Sequence, residues 1–204
     1  QERMVTIIDY GMGNLGSISN MIKKIGYQSE LASEIKTIER AKKIILPGIG
    51  SFDEGMNNLK DLGLIDVLNK KILIDKTPVL GICLGMQLMT SGSEEGGGQA
   101  GFGWIDAEVK KIKSNNLKVP HMGWNIVKHR KSSKLFSELT TEKRFYFVHN
   151  YYVNCNNSGD VLTTTPYGHD FTSSFERDNI VGVQFHPEKS HKFGMHLIKN
   201  FMEI

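Results

Sequence analysis

The connection between a predicted strand and a predicted helix, on which the fold of this chain depends, lies at Pro78-Val79-Leu80-Gly81-Ile82-Cys83-Leu84-Gly85-Met86-Gln87. An apolar run of strand length ends at Cys83, and a helix-forming run follows over residues 84–89. Glycines two residues before and two residues after the cysteine leave room for a sharp turn between strand and helix. The pattern predicts a nucleophile elbow with cysteine at its apex, although an isolated free cysteine is more often a small buried apolar residue.

Short apolar runs alternate with helix-period segments on both sides of this stretch, as in βαβ units. After Ser91 the runs become β-branched and take hairpin-like spacing. We therefore expect an α/β protein whose mostly parallel open sheet is flanked by helices and gains antiparallel strands in the C-terminal half. The predicted strands are 5–9, 27–31, 43–46, 78–82, 104–112, 145–153, 161–165, 171–176 and 180–185; the predicted helices are 17–25, 34–41, 56–74 with a break at Gly63, 84–89 and 193–202.

Composition excludes several classes of protein. A length of 204 residues favours one domain, placed at residues 4–204, and 39% hydrophobic with 23% charged residues is typical of a globular protein. The net charge of +3 is spread along the chain, so no nucleic-acid partner is indicated. We find no apolar run long enough for a membrane span and no signal sequence, which predicts a cytoplasmic protein. Two cysteines are too few for a disulfide framework.

A second motif, Val183-Gln184-Phe185-His186-Pro187-Glu188, follows another apolar run. A cysteine nucleophile needs a base, and that base needs a group that orients it. Side chains two apart in an extended segment project to the same side, so His186 and Glu188 can be neighbours. Pro187 also keeps His186 out of the helical region. The motif therefore predicts a Cys83-His186-Glu188 triad.

A third stretch, Leu46-Pro47-Gly48-Ile49-Gly50-Ser51, is either a simple loop between strand and helix or part of the chemistry. In the second interpretation its backbone presents an oxyanion donor, the N–H of Ile49, and the flanking glycines let that peptide rotate. The N–H of Leu84 would be the other donor.

The segment Gly11-Met12-Gly13-Asn14-Leu15-Gly16 matches the G-x-G-x-x-G pattern of dinucleotide-binding proteins. That fingerprint requires an acidic residue about 20 positions later for the ribose, and Glu30 is only loosely placed. Dinucleotide binding is therefore the weaker alternative.

The histidines raise the question of a metal site. His186, His191 and His196 are spaced by five residues, which neither helix nor strand brings onto one face, so no metal site is predicted. His149 is expected to be a strand residue with satisfied hydrogen bonds.

The motifs GICLGMQ, PGIGSFDEGM and VQFHPEKS together resemble those of the class I, or triad, glutamine amidotransferases. PHMGWN and FYFVHNYY are similar to segments of the glutaminase subunits of imidazole glycerol phosphate synthase. The resemblance covers residues 4–204 and implies a flavodoxin-like fold without a cofactor. It also implies hydrolysis of glutamine to glutamate and ammonia through a cysteinyl thioester.

The resemblance also assigns site residues and a partner. It implies that Cys83, His186 and Glu188 form the triad and that the oxyanion hole is formed by Gly48, Ile49, Gly50 and Leu84. The glutamine pocket would then include Gln87 and Glu95. The partner interface and ammonia exit would include Asn14, Met122, Trp124 and Lys189. The implied partner is a (β/α)8-barrel synthase subunit in a heterodimer, which uses the ammonia to form imidazole glycerol phosphate and AICAR in histidine biosynthesis. The glutaminase of such a pair is nearly silent until the partner holds its nucleotide substrate.

Two alternatives stay open. Residues 188–194, Glu-Lys-Ser-His-Lys-Phe-Gly, are less typical of histidine-pathway enzymes. They resemble closely related glutaminases that supply ammonia to a similar barrel for amidino groups on surface-polysaccharide sugars. The chain could also be mainly a regulatory or structural subunit with weak hydrolysis.

Overall fold

The computed structural model describes residues 3–113, 116–137 and 142–204. Within these residues twelve strands form one connected mixed sheet, and six α-helices pack against it. The strands are β1 Met4–Ile8, β2 Gln28–Ala32, β3 Ile44–Leu46, β4 Val79–Ile82, β5 Gly92–Ser93, β6 Ala107–Lys111, β7 His121–His129, β8 Lys143–His149, β9 Tyr151–Cys155, β10 Val161–Tyr167, β11 His169–Arg177 and β12 Ile180–Val183. The helices are α1 Leu15–Lys24, α2 Ile35–Glu39, α3 Phe52–Asp61, α4 Ile65–Asn69, α5 Leu84–Leu88 and α6 His191–Met202.

The sheet has a parallel part and an antiparallel part. The parallel strands lie in the order β2-β1-β3-β4-β12, and the first four follow the flavodoxin-like order. Beyond β12 the sheet continues through antiparallel β11, β10, β7 and β8, while β9 and β6 branch from β11. This arrangement confirms the predicted α/β class with antiparallel strands in the C-terminal half.

Side-chain alternation along the buried strands builds a core on each face of the sheet. In β1, Ile8 belongs to one apolar cluster, together with residues of α2, α3, α4 and α5. Its neighbour Ile7 belongs to the other cluster, with residues of α1 and α6. Both isoleucines are fully buried, so the parallel strands are covered on both sides.

The elbow at Cys83 has the predicted geometry. Its backbone has φ +53° and ψ −109°, a conformation that non-glycine residues rarely adopt, and α5 begins at the next residue. A Cβ at Gly85 would lie 1.8 Å from the carbonyl oxygen of Leu46, and one at Gly81 would lie 2.8 Å from the nitrogen of Met86. The two glycines therefore allow α5 to pack directly on the ends of β3 and β4.

Two sequence predictions about strands were wrong. The predicted strand 145–153 is two strands, β8 and β9, separated at Asn150. The chain bends there because β8 pairs with β7, whereas β9 pairs with β6 and β11. Strand β7 was not predicted, since Gly123 and a mixture of exposed and buried side chains obscure its alternation.

The predicted helix over 56–74 begins earlier, at Phe52. Ser51 caps it by accepting a hydrogen bond from the N–H of Glu54 at 3.3 Å. The predicted break at Gly63 is confirmed, because Gly63 has φ +70° between α3 and α4. Residues Lys70–Ile74 continue α4 as a π-helical turn.

A Gly85→Ala substitution is expected to destabilise the fold by at least about 3 kcal/mol, because the added methyl group meets backbone that cannot move aside. The measurement is urea denaturation followed by circular dichroism. Gly16→Ala in helix α1 is the control, since a Cβ there would lie 3.8 Å from its nearest neighbour. The control should be as stable as the parent or up to about 1 kcal/mol more stable. Equal stability of the Gly85 variant and the parent would contradict the packing described above.

Candidate active site

His186 and Glu188 form a buried pair at the end of β12. Nδ1 of His186 lies 2.6 Å from Oε1 of Glu188, and their side chains are 1% and 5% exposed. Nε2, on the other side of the ring, is buried and makes no hydrogen bond to the described residues. The carboxylate therefore fixes the imidazole orientation and leaves Nε2 available for proton exchange.

Cys83 is brought to this pair by the parallel pairing of β4 with β12. Ile82 is in register with Val183, and the N–H of Cys83 donates to the carbonyl of Val183 at 2.8 Å. Its Sγ lies 3.9 Å from the carbonyl oxygen of Val148 and 3.5 Å from Nε2 of Gln184. The whole residue is 7% exposed, so Cys83 lies just below the surface.

The charge of His186 depends on these two neighbours. Burial alone would lower its pKa, but the interactions with Cys83 and Glu188 outweigh burial and raise the pKa to about 10. The imidazole is therefore protonated at neutral pH and places a cation beside the sulfur. Such an arrangement can attack an acyl carbon and then protonate the leaving group.

Ser190 holds the turn that carries His186 and Glu188, and sequence reasoning missed it. Its hydroxyl donates to the carbonyl of His186 at 2.6 Å and accepts from the N–H of Tyr146 at 3.0 Å. The residue is fully buried. Its place two residues after Glu188 in the same motif was the available signal.

The predicted oxyanion donors are not both free. The N–H of Leu84 donates to the carbonyl of Gly48 at 3.2 Å, so this carbonyl occupies the place where an oxyanion would bind. Gly48 is tightly enclosed, since a Cβ on it would lie 3.0 Å from Cβ of Leu84. Ile49, the next residue, is 45% exposed.

The G-x-G-x-x-G segment packs against this same loop. A Cβ at Gly13 would lie 3.1 Å from the nitrogen of Gly48, and Gly13 has φ +95°. Asn14 begins α1, and its Oδ1 accepts from the N–H of Ser17 at 3.2 Å. Gly13 thus permits a close backbone contact within the protein, a role that needs no dinucleotide.

The two predicted glutamine-pocket residues are both engaged. Nε2 of Gln87 donates to the carbonyl of Tyr151 at 3.2 Å and to Oε1 of Gln184 at 3.0 Å. Glu95 is half-buried, and its Oε1 accepts from the N–H of Phe52 at 2.6 Å. Gln87 is thus linked to the sulfur through Gln184, whereas Glu95 is tied to the start of α3.

Strand β7 and the turn after Glu188 carry the exposed residues that were predicted to face a partner. Met122 is 61% exposed and is paired across the strands with Val148, whose carbonyl contacts the sulfur. Trp124 is 44% exposed and stacks on His191, with ring centroids 5.7 Å apart. Lys189 is exposed, with Nζ 5.9 Å from the centre of the Tyr146 ring. Exposed apolar groups of this size are typical of a docking surface.

Two further histidines lie behind the site in a neutral, hydrogen-bonded chain. Nδ1 of His149 lies 2.8 Å from the carbonyl of Tyr151 and can only donate to it, so Nε2 of His149 accepts from Nδ1 of His121 at 2.8 Å. Nε2 of His121 then faces the amide nitrogen of Asn125 at 3.2 Å. Burial lowers the pKa of His121 to about 4 and that of His149 to about 3. Both ring nitrogens of His149 are satisfied, as expected for a structural residue.

Among the described residues no three His, Cys, Asp or Glu side chains are grouped so that they could hold a metal ion. None of the described helices is both long and apolar enough to cross a membrane.

Comparison with known proteins identifies the family. A family model described as "Glutamine amidotransferase class-I" matches residues 6–204. The chain belongs to the class I glutamine amidotransferases. Among relatives of this amidotransferase, the imidazole glycerol phosphate synthase subunit HisH 2 of Methanococcus maripaludis is 58% identical over 98% of this chain and 99% of its own. A protein of the same name from Pseudomonas aeruginosa is 46% identical over 98% of this chain and 100% of its own.

Solved structures show the same fold at low sequence identity. A crystal structure titled glutamine amidotransferase matches this amidotransferase with TM-score 0.76 at 17% identity, covering 98% of this chain and 97% of the other. The structure of PurLQS from Thermotoga maritima also gives TM-score 0.76, at 12% identity, over 100% and 99% of the two chains.

The neutral histidine pair predicts how the stability of this amidotransferase depends on pH. Because the folded pKa values of His121 and His149 lie below the ordinary value of 6.5, their contribution is present above pH 6.5 and is lost as pH falls towards 4. Each histidine should lower the free energy of unfolding by about 2 kcal/mol between pH 7 and pH 5.

His149→Gln should reduce this pH dependence, and urea denaturation at pH 7 and pH 5 measures it. His169→Gln, at an exposed histidine, is the control and should keep the parent slope. A His149 variant with the parent slope would show that the pair is not held neutral.

Proposed function

We propose that this chain hydrolyses L-glutamine to glutamate and ammonia through a Cys83-His186-Glu188 triad. The observation that carries the proposal is the convergence of these three side chains, from two strands about one hundred residues apart, in a class I glutamine amidotransferase. The catalytic unit is residues 4–204 as one domain, supported by the family match over 6–204 and the single connected sheet of the described residues.

In the first half of the reaction the thiolate of Cys83 attacks the side-chain amide carbon of glutamine. Protonated His186 gives the Nε2 proton to the nitrogen, the C–N bond breaks, and ammonia leaves behind a thioester. In the second half neutral His186 removes a proton from water, the resulting hydroxide attacks the thioester, the C–S bond breaks, and glutamate is released with regeneration of the thiolate–imidazolium pair. Glu188 holds the imidazole by Nδ1 in both halves.

The oxyanion of each tetrahedral intermediate would be held by the N–H groups of Leu84 and Ile49. The bond from Leu84 to the carbonyl of Gly48 must open first, and a rotation of the peptide that joins Gly48 to Ile49 would remove the carbonyl and turn the N–H inward. Gly50, with φ +130°, adjoins the moving peptide. A resting enzyme with low activity follows from this arrangement.

Gln87 and Glu95 are proposed to hold the substrate glutamine. Gln87 lies one turn of helix after Cys83, and its amide oxygen can accept a hydrogen bond from the substrate, since its nitrogen already donates to Tyr151 and Gln184. Glu95 carries a carboxylate suited to the substrate ammonium group, and the N–H of Phe52 already orients it. No metal or other cofactor takes part in the proposed reaction.

The ammonia is proposed to pass to a (β/α)8-barrel synthase subunit in a heterodimer. The supporting observations are the names of the relatives, imidazole glycerol phosphate synthase subunits, and the exposed Met122 and Trp124 on β7, where Met122 pairs with the Val148 that contacts the Cys83 sulfur. The same face would include Lys189, and Asn14 would lie near the ammonia exit. The products of the pair would be imidazole glycerol phosphate and AICAR in histidine biosynthesis. Two free cysteines fit the proposed cytoplasmic location.

A second candidate keeps the same hydrolysis but sends the ammonia to a barrel that makes amidino sugars. The observation that favours it is the sequence after Glu188, in which His191 has φ +47° and stacks on the exposed Trp124. The unusual residues therefore lie on the proposed docking face. Identifying the barrel that co-purifies with the chain, and assaying ammonia uptake with ribonucleotide and sugar substrates, separates the two candidates.

Cys83→Ala should abolish partner-stimulated release of ammonia from glutamine, because no nucleophile remains. Glu188→Gln should lower the rate by about 10²- to 10⁴-fold through loss of imidazole orientation. A coupled glutamate assay measures both, and Cys155→Ala is the matched control that should keep the parent rate. Glutaminase activity that survives Cys83→Ala would overturn the proposal, and a chain that folds, binds its partner and never hydrolyses glutamine would be a regulatory subunit instead.

Trp124→Ala should weaken binding of the barrel partner by about tenfold or more, since a half-exposed tryptophan at a docking face is a typical energetic centre. Isothermal titration calorimetry of the purified subunits measures the change. Leu31→Ala, at an exposed apolar residue on the edge strand β2, is the control. An unchanged affinity in the Trp124 variant would place the partner elsewhere.

A further inference from the structure

Gln184 is a buried polar side chain beside the sulfur that the proposed mechanism does not use. It is fully buried, and its Nε2 lies 3.5 Å from Sγ of Cys83, within range of an N–H···S hydrogen bond. A buried amide of this kind is costly unless its polar atoms are paired, so its two partners determine what it does.

The hydrogen-bond chain fixes which end of the Gln184 amide faces the sulfur. The carbonyl of Tyr151 can only accept, so the group of Gln87 that lies 3.2 Å from it is the amide nitrogen. The same nitrogen is 3.0 Å from Gln184, which must therefore present its oxygen to Gln87. The Gln184 nitrogen is left to face Cys83. His149 anchors this chain from the other side by donating to the Tyr151 carbonyl at 2.8 Å.

The backbone places Gln184 and His186 on the same side. Gln184 follows β12 directly, as Cys83 follows β4, and the last residues of these strands are in register. The N–H of Gln184 donates to the carbonyl of Ser173 at 2.9 Å, and His186, two residues later, has extended φ −104° and ψ +97°. The amide of Gln184 lies 3.5 Å from the sulfur, and the interaction with Cys83 raises the pKa of His186, so both side chains face the sulfur.

We propose that Gln184 is a catalytic residue that donates an N–H to the Cys83 thiolate, in an orientation set by Gln87 and the Tyr151 carbonyl. The proposal rests on the proposed function, in which Cys83 is the nucleophile. An amide donor stabilises the thiolate at every pH, whereas His186 gives up its proton during each cycle. When the sulfur leaves the second tetrahedral intermediate as an anion, the amide is thus a second donor beside protonated His186.

The test is alkylation of Cys83 by iodoacetamide as a function of pH, in the full chain without glutamine or partner. The background is Cys155→Ala, although burial already raises the pKa of Cys155 to about 12 and makes it unreactive at neutral pH. Gln184→Met, which keeps the length and loses the donor, should react about tenfold or more slowly at pH 7. At high pH, where hydroxide removes the thiol proton, its rate should approach that of the parent.

Gln184→Glu should react more slowly still at neutral pH, since a carboxylate oxygen would face the thiolate. Gln87→Glu is the second variant, for the case in which substitution at 184 prevents folding. The carboxylate at position 87 can only accept, so the Gln184 amide must turn over and present its nitrogen to residue 87. Oε1 of Gln184 then faces the sulfur, which should also slow alkylation. Faster alkylation at all pH values would indicate only looser packing, and rates equal to the parent would show no contact; either result overturns the proposal.

This experiment separates the proposal from the proposed function. Loss of glutaminase in Cys83→Ala with parent-like alkylation in Gln184→Met overturns only the role of Gln184. If Cys83→Ala retains glutaminase activity, Cys83 is not the nucleophile. Slow alkylation of Gln184→Met would not then rescue the role of Gln184, and both the proposed function and this proposal would be overturned. In the complex with its partner, Gln184→Met should lower kcat about tenfold and leave KM within about twofold, with kcat calculated per folded chain from circular dichroism so that general destabilisation is not counted.

Discussion

The strained backbone of Cys83, with φ +53° between β4 and α5, is the constraint on which the rest of the site depends. Because the chain turns so sharply, α5 packs on the end of β3, and the contact between Gly85 and the Leu46 carbonyl leaves room for a hydrogen only. That closeness puts the N–H of Leu84 beside the carbonyl of Gly48. This one turn therefore fixes the positions of the Cys83 sulfur, of the Leu84 N–H that is the proposed oxyanion donor, and of the Gly48 loop that lies against that N–H. Conformational strain of this kind persists only where close packing enforces it, and here two core layers enforce it.

Three buried histidines near this turn carry different charges because their partners differ. His186 faces a carboxylate and a sulfur, which together outweigh burial and keep it protonated. His149 and His121 have only a carbonyl, an amide and each other as partners, so burial decides and both stay neutral. A second cation would also be repelled by His186, which itself lowers the pKa of His149. The cluster thus has a single proton carrier, and the neutral pair serves to hold the β8–β9 bend.

The periodicity of apolar residues was sufficient to predict most of the parallel half of the fold. Each strand and helix there has its own apolar pattern, and glycines mark where elements end. The elbow and the His186–Glu188 pair were also predictable, because local spacing alone determines them. The split at Asn150 was not, since it depends on a contact between His121 and His149 that joins two strands distant in sequence. Gln184 lay within a motif that was recognised, but its partner Gln87 is 97 residues away, and only the fold unites them. The direction of the Gly48 carbonyl depends on the rotation of one peptide group, which the amino-acid composition does not determine.

The glycine pattern at positions 11, 13 and 16 shows that the same spacing can occur for two different structural reasons. In a dinucleotide site the glycines let backbone approach a pyrophosphate, whereas here Gly13 lets backbone approach Gly48. Met12, buried beside it, reaches Gly50 so closely that a Cβ there would lie 2.6 Å from its terminal methyl group. Met12 and Gly13 therefore pack against the segment that carries the Gly48 carbonyl. Asn14, proposed to lie at the partner interface, is the next residue along the chain, so a partner bound there would be one residue from that contact. In the proposed heterodimer, a partner would then reach the Gly48 peptide through Gly13, and control of hydrolysis would need no long pathway through the protein.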